Sequence, residues 1–152
     1  METDDPLWTY KTTMGGITCK VDRKRNIIDG VITYYRSLYY AEEKIILEFK
    51  GTFSPNNTDD PDLMLYGTPG SYKFGYEVII YSGGNYSCAV VNVTQVHSAA
   101  QFSKSWFDLR VTNSSIDVGP TPDCLEYYEN VTTSYGKHPE VLYGPQCQEI
   151  LK

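Results

Sequence analysis

Eight short runs of strand-forming residues, separated by turn-forming residues, dominate the sequence. Tyrosine and β-branched residues favour strands, and the connectors SPNNTDDP, SGGN and VGPTP are rich in residues that favour turns. Short strands at near-regular spacing are typical of an antiparallel barrel or sandwich. The predicted strands are 7–13, 16–22, 30–36, 44–52, 62–66, 71–81, 86–95 and 105–112.

The segment after the last predicted strand has a helical periodicity instead. Pro122 suits the first turn of a helix, and Asp123 lies near its start. The residues that recur at helical spacing are Cys124, Leu125, Tyr128 and Val131. The sequence therefore predicts a short helix over 122–131, followed by an extended tail that ends near Cys147.

Composition and charge limit the classes of protein to which the chain can belong. Its 152 residues suffice for a single domain, 1–152, with a sizeable core. The 19 acidic and 13 basic side chains give a net charge of −6. This charge argues against nucleic acid or an anionic membrane as a partner, because either needs a basic patch. No apolar run approaches the roughly 18 residues of a membrane span. The opening METDDPLW is unlike a signal peptide, so we expect a mature chain.

Five Asn-x-Ser/Thr triplets and an even number of cysteines indicate an oxidising, extracellular compartment. One triplet arises easily by chance, whereas five in a chain of this length are hard to dismiss. The predicted glycosylation sites are Asn56, Asn85, Asn92, Asn113 and Asn130. The four cysteines are expected to form two disulfides. The chain is therefore predicted to be a secreted glycoprotein.

The stretch NYSCAVVNVTQ, residues 85–95, indicates which face of one strand looks inward. Side chains alternate between the two faces of a strand, and a glycan on Asn92 must point outward. Cys88 and Val90 share the face of Asn92. The inner row is then apolar and consists of Ala89, Val91 and Val93.

This facing also favours one disulfide pairing. An outward Cys88 needs a partner outside the sheet, and Cys124 is well placed if the helix packs there. Cys19 would then pair with Cys147. Four cysteines allow three pairings, so the choice among them stays open at this point.

Apolar rows alternate along other strands in the same way. An eight-stranded barrel can hold one small ligand, and tyrosine hydroxyls can orient it within an apolar pocket. A sterol or a fatty acid fits such a pocket better than a phosphate or a sugar. The alternative is that the same rows only fill the core of a β-domain. The predicted ligand-binding residues of these rows are Tyr35, Ile45, Leu47, Phe49, Phe74, Tyr76, Val78, Ala89, Val91 and Val93.

No arrangement of catalytic or metal-binding residues emerges from the sequence. His97 and His138 lie far apart, and the cysteines are committed to bridges, so no metal site is expected. The SGG at 82–84 lacks the Gly-Lys-Ser/Thr of a phosphate loop, and no nucleophile elbow is present. We therefore expect neither enzymatic activity nor a cofactor.

Short motifs over nearly the whole chain resemble those of the tick salivary lipocalins, the group that includes the histamine-binding proteins. The motifs are DPLW at 5–8, Cys19, Cys88, Asp108-Leu109-Arg110, Pro122-Asp123-Cys124 and YGPQC ending at Cys147. The resemblance implies an all-β, eight-stranded antiparallel lipocalin barrel with a short C-terminal helix packed outside. It also implies the bridges Cys19–Cys147 and Cys88–Cys124.

The same resemblance implies a function and a location. It implies a monomer secreted in saliva that binds a small ligand in its barrel. It further implies modulation of host immune cells such as dendritic cells, or of inflammation, with a host immune-cell surface receptor as a candidate partner.

Two departures from the family bear on the ligand. Amine-binding members place an Asp directly after the seventh-strand cysteine, where this chain has Ala89. The acidic-Leu-aromatic step ends in Arg110, which weakens the aromatic wall for a cation. We therefore expect a small apolar ligand. The alternative, a scavenger of histamine or serotonin, is favoured if Asp108 or Glu48 faces the lumen.

The facing of Asp108 is left undecided by the sequence. The resemblance turns Asp108 inward and makes it a further candidate for ligand binding. The apolar row of the same strand would turn Asp108 outward instead, and that row consists of Phe107, Leu109 and Val111.

Overall fold

The computed structural model describes residues 5–53, 63–67, 73–97 and 102–152. Within these ranges, two 3-10 helices, Asn113–Ser115 and Pro145–Leu151, flank one α-helix, α1 (Pro122–Ser134). The strands are β1 (Leu7–Thr12), β2 (Ile17–Ile28), β3 (Val31–Tyr40), β4 (Glu43–Phe53), β5 (Leu63–Gly67), β6 (Lys73–Gly83), β7 (Cys88–His97), β8 (Phe102–Thr112) and β9 (Glu140–Val141).

Eight of these strands close into an antiparallel barrel, which confirms the predicted fold class. Consecutive strands pair from β2 to β8, and β8 pairs with β1. The barrel closes where β1 returns to β2 through the pairs Leu7↔Asp22 and Trp8↔Val21. β9 lies outside the barrel and pairs with β1. α1 packs against β6, β7 and β8.

The C-terminal tail runs along the seam between β1 and β2. The backbone N–H of Leu142 donates to the carbonyl oxygen of Tyr10 on β1, at 2.9 Å. The carbonyl oxygen of Leu142 accepts from the N–H of Cys19 on β2, at 3.3 Å. The tail therefore contacts both edges of the seam beyond the point where β1 and β2 pair with each other.

β2 is longer than the sequence indicated, because its second half forms a hairpin with β3. Asp29 and Gly30 connect the two strands with φ values of 52° and 78°. A two-residue turn with both φ values positive matches the twist of a hairpin, and Asp-Gly is a favoured sequence for it. The prediction that this strand ends at residue 22 is therefore wrong, because the charged run 23–28 continues it. α1 likewise continues beyond the predicted residue 131 to Ser134.

Two disulfides join the barrel to the C-terminal segments. Cys88 on β7 is bonded to Cys124 on α1, and Cys19 on β2 is bonded to Cys147 in the second 3-10 helix. These are the bridges that the resemblance implies. Because Cys88 must reach α1, its face of β7 is the outer one, and the neighbouring Val90 is fully buried beneath α1.

The strand register shows which side chains point into the barrel. Directly paired residues share a face of the sheet. Val91 pairs with Asp108, so Asp108 faces the lumen, as the resemblance implies. The apolar row of β8 therefore faces outward and is covered by α1. It consists of Phe107, Leu109 and Val111.

The facing predicted for the strand 71–81 is wrong. Tyr76 pairs with Thr94, and Val78 pairs with Asn92, so both lie on the outer face. Both rows of this strand contain apolar residues, so alternation alone could not identify the inner one. The register shift between Ile79 and Tyr81 marks a bulge, which offsets the alternation further along the strand.

Tyr35 also lies on the outer face, opposite Glu48 of β4. Its hydroxyl accepts a hydrogen bond from Arg25 at 3.0 Å. The preceding residue, Tyr34, is the one that faces inward, in register with Phe49. The prediction that Tyr35 lines the lumen is therefore wrong, and the adjacent Tyr34 lies there instead.

Candidate ligand-binding site inside the barrel

The inner faces of five strands bring a set of buried side chains together. Phe49 packs between two tyrosines, with ring centroids 5.7 Å from Tyr34 and 5.6 Å from Tyr66. Aliphatic side chains of β3 and β7 complete the wall. The set consists of Ile32, Tyr34, Phe49, Tyr66, Ala89, Val91, Val93 and Trp106, and we call it the inner cluster.

A group of charged side chains crosses the lumen beside the inner cluster. Glu77 on β6 accepts a hydrogen bond from Nη2 of Arg36 on β3 at 3.0 Å. It also accepts hydrogen bonds from both terminal nitrogens of Arg110 on β8, at 2.7 and 3.1 Å. β3 and β6 are separated in the sheet by β4 and β5, so the contact between Arg36 and Glu77 spans the interior.

Asp108 extends these contacts toward β1 and β2. It accepts hydrogen bonds from Lys20 Nζ at 3.0 Å, Arg110 Nη2 at 3.0 Å and Thr12 Oγ1 at 2.7 Å. Arg36 also donates to both carboxylate oxygens of Asp22, at 2.8 and 3.0 Å. Three cations and three carboxylates thus contact one another. They are Lys20, Arg36, Arg110, Asp22, Glu77 and Asp108, and we call them the ionic network.

The electrostatics of the network keep its buried carboxylates ionised. Burial alone would raise the pKa of Glu77, but Arg110 and Arg36 outweigh it and hold that pKa below its ordinary value. Burial likewise opposes ionisation of Asp108, yet Lys20 and Arg110 bring its pKa below the ordinary value. Burial, reinforced by Arg36, lowers the pKa of the Lys20 ammonium despite the attraction of Asp108.

Arg36 joins the ionic network to the aromatic part of the inner cluster. Its guanidinium carbon lies 5.4 Å from the ring centroid of Phe49, 5.6 Å from that of Tyr34 and 5.8 Å from that of Tyr66. Aromatic faces attract cations at such distances. The rings that could receive a ligand cation therefore already contact a cation of the protein.

Three polar atoms of the interior have no hydrogen-bond partner among the described residues. They are Tyr34 Oη, Trp106 Nε1 and Arg110 Nε. Their residues are only 4%, 6% and 3% exposed. An unpaired buried polar group costs about 1–3 kcal/mol, and such groups are rare in folded proteins. Burial raises the pKa of the Tyr34 hydroxyl, which keeps that oxygen protonated and able to donate.

The other predicted ligand-binding residues fall in different parts of the barrel. Phe49, Ala89, Val91 and Val93 belong to the inner cluster. Ile45 and Leu47 share the inner face of β4 with Phe49, but Leu47 is 38% exposed. The side chain of Phe74 lies outside the part of the chain that the structure describes.

The predicted glycosylation sites differ in their accessibility. Asn85 and Asn130 are exposed, and Asn92 lies on the outer face of β7. Asn113 accepts hydrogen bonds from two side chains, each at 2.9 Å. Asn56 lies outside the described residues. Glycosylation of these sites stays a prediction.

Sequence reasoning missed most of the ionic network, although one pattern could have found it. Lys20 and Asp22 are two residues apart on one strand, as are Asp108 and Arg110 on another, so each pair shares a face. Charged residues are usually exposed, so the spacing alone does not place these pairs in the interior, and only Asp108 is a candidate there, through the resemblance. Glu48, named as an alternative carboxylate, lies on the outer face, 3.9 Å from Arg25.

Within the described ranges, no group of three or more His, Cys, Asp or Glu side chains is arranged to hold a metal ion. In the same parts of the chain, no helix has the length and apolar character needed to cross a membrane.

Solved structures of similar fold identify the class of this barrel. A siderocalin, Ex-FABP, matches with a TM-score of 0.69 at 8% identity, over 93% of this chain and 93% of that chain. A dog lipocalin allergen matches with a TM-score of 0.63 at 10% identity, over 93% and 94% of the two chains. The closed barrel, the outside helix and these neighbours show that the chain has the lipocalin fold.

A tick protein is also among these neighbours. Japanin from Rhipicephalus appendiculatus, in a structure with bound cholesterol, matches with a TM-score of 0.61 at 13% identity, over 95% of this chain and 96% of that chain. At this identity the likeness extends to the fold alone. No family model matches the chain, and no curated protein matches it.

Proposed function

We propose that the protein is an extracellular lipocalin that binds one small, largely apolar ligand inside its barrel, such as a sterol or a fatty acid. The observation that carries this proposal is the inner cluster, in which residues of five strands line the lumen with aromatic and aliphatic side chains. Small-molecule sites are mostly apolar concavities with a few well-placed polar groups. The protein acts by binding and sequestering its ligand, not by catalysis.

Its two disulfides and its exposed Asn85 and Asn130 triplets support an extracellular location. The more specific proposal is a monomeric tick salivary protein that modulates host immune cells, such as dendritic cells, or inflammation. A host-cell receptor is its candidate partner. The sequence motifs shared with tick salivary lipocalins support this proposal, as does the fold similarity to Japanin, whose structure contains cholesterol.

An amine scavenger is the second candidate, because Asp108 faces the lumen near aromatic rings. Against it, Asp108 and Glu77 are already paired with three cations. A ligand ammonium would compete with Lys20 and would meet rings that Arg36 already contacts. Calorimetric titration with histamine and serotonin tests this candidate. Submicromolar binding of either amine would replace the apolar-ligand proposal.

The direct test is to identify what the barrel carries. The protein, expressed in a eukaryotic secretory host, would be analysed by native mass spectrometry and then extracted with organic solvent. We expect a sterol or fatty-acyl compound at up to one molecule per chain. Absence of any such compound, together with no displacement of the neutral dye N-phenyl-1-naphthylamine by sterols or fatty acids, would contradict the proposal.

A further inference from the structure

The unpaired polar atoms of the lumen indicate what the ligand's polar end must be. We propose that the ligand carries a neutral oxygen acceptor, a hydroxyl or a carbonyl, and that Tyr34 Oη, Trp106 Nε1 and Arg110 Nε bind this oxygen. This inference rests on the proposed function, since it concerns the polar end of the same apolar ligand. It selects a sterol or a fatty alcohol over a fatty-acid anion or an amine.

The donor chemistry of the three groups requires an acceptor. The indole nitrogen of Trp106 and the Nε of Arg110 can only donate, whereas the Tyr34 hydroxyl can donate or accept. All three residues are more than nine-tenths buried, and their free atoms have no partner among the described residues. An ammonium offers donors alone, so it would leave Trp106 and Arg110 unsatisfied.

The three atoms belong to one region of the lumen. The guanidinium carbon of Arg36 lies 5.6 Å from the ring centroid of Tyr34. Arg36 donates a hydrogen bond to Glu77, which also accepts one from Arg110. Trp106 pairs in register with Val93, which in turn pairs with Glu77. The residues that carry the three donors therefore border Glu77 on the inner face of the barrel, where the inner cluster meets the ionic network.

The charge balance of the network requires that the acceptor be neutral. Its three cations and three carboxylates contact one another and sum to zero. A further inward cation, Lys24, is half-buried and already has an interaction partner. A bound carboxylate would add an uncompensated buried negative charge, which is far more costly than burying a hydroxyl that is hydrogen-bonded.

Two matched ligand sets test the inference at neutral pH. The first set shares a dodecyl chain and consists of dodecanol, dodecanoate and dodecylammonium. The second set consists of cholesterol and cholesterol sulfate. Displacement of N-phenyl-1-naphthylamine from the purified protein gives each affinity. We expect the neutral member of at least one set to bind about tenfold more tightly than its charged counterparts.

The outcomes separate this inference from the proposed function. Charged members that bind as tightly as the neutral ones would overturn the inference and leave an apolar-ligand barrel standing. Failure of every compound to displace the dye, with no lipid copurifying, would overturn the proposed function and this inference with it.

A pair of variants tests one of the donors, the Tyr34 hydroxyl. Tyr34→Phe removes an unpaired buried hydroxyl, so the ligand-free protein should be as stable as before or more stable. The affinity for the neutral ligand should nevertheless fall about fivefold. Tyr35→Phe, on the outer face of the same strand, is the matched control and should leave the affinity unchanged. Unchanged affinity in Tyr34→Phe would overturn the role of this hydroxyl in ligand binding.

Discussion

The substitution Glu77→Gln tests whether the ionic network stabilises the folded barrel. The carboxylate of Glu77 receives hydrogen bonds from Arg36 and from both terminal nitrogens of Arg110. Glutamine has nearly the same shape but no charge. It would leave two buried guanidiniums facing each other without the anion between them.

The expected loss of stability follows from the burial of these groups. Glu77 is 3% exposed and Arg110 is 3% exposed, so solvent screens their contacts little. Removing one partner of a buried ion pair typically costs about 3–5 kcal/mol. For a domain of this size each kcal/mol lowers Tm by about 2–4 °C, so we expect a fall of roughly 6–20 °C.

Urea unfolding followed by tryptophan fluorescence measures the free energy of unfolding, with Glu48→Gln as the control. Glu48 is an outward carboxylate, 38% exposed and 3.9 Å from Arg25, and removing its charge should cost less than about 1 kcal/mol. A Glu77→Gln cost no larger than that of Glu48→Gln would refute the reasoning. Adding Arg110→Met to Glu77→Gln should cost less than the sum of the single changes, because the two residues are coupled.

Three further predictions concern the lumen, its charges and one disulfide. Val91→Asp places a carboxylate opposite Asp108, so it should abolish lipid retention and lower Tm by at least about 6 °C. The control Val96→Asp lies on the outer face of the same strand, where Val96 is 46% exposed, and should change neither lipid retention nor Tm. Equal losses in the two variants would show that the facing assigned to this strand is wrong. The pKa values of Asp108 and Glu77 are lower in the folded state than in the unfolded chain. The stability that these two carboxylates contribute is therefore complete above about pH 5. It is lost as the pH falls through and below the ordinary carboxyl pKa near 4. Unfolding free energies measured from neutral to acid pH should therefore fall below about pH 4, less steeply in Glu77→Gln, and an identical slope in that variant would contradict the assignment. Replacing both Cys88 and Cys124 with alanine opens a loop of 36 residues and should lower the free energy of unfolding, measured in urea, by about 4 kcal/mol. A decrease under about 1 kcal/mol would show that packing alone keeps α1 against the barrel.

The fold could be predicted from the sequence because its main determinants are local. Period-two alternation and turn residues indicate the strands, and the Asn92 triplet orients one of them. Val90 illustrates the limit of this reasoning. Its outward facing follows from Asn92, but its complete burial does not, because it depends on the docking of α1.

The polar half of the site could not be predicted, because its contacts join distant parts of the chain. Glu77 is 41 residues from Arg36 and 33 from Arg110. A charged residue within a strand is normally assigned to the solvent side. Only a closed barrel, which makes β3 face β6 across the lumen, brings these charges within hydrogen-bonding distance.

The tail that runs along the seam has a consequence for how the protein is made. β1 and β2 pair directly through two residue pairs, and Leu142 contacts both strands beyond them. The bridge that fixes this tail joins residues 128 positions apart. The two hydrogen bonds of Leu142 and this bridge therefore cannot form until the end of the chain has left the ribosome, so the contacts along this part of the seam are completed last.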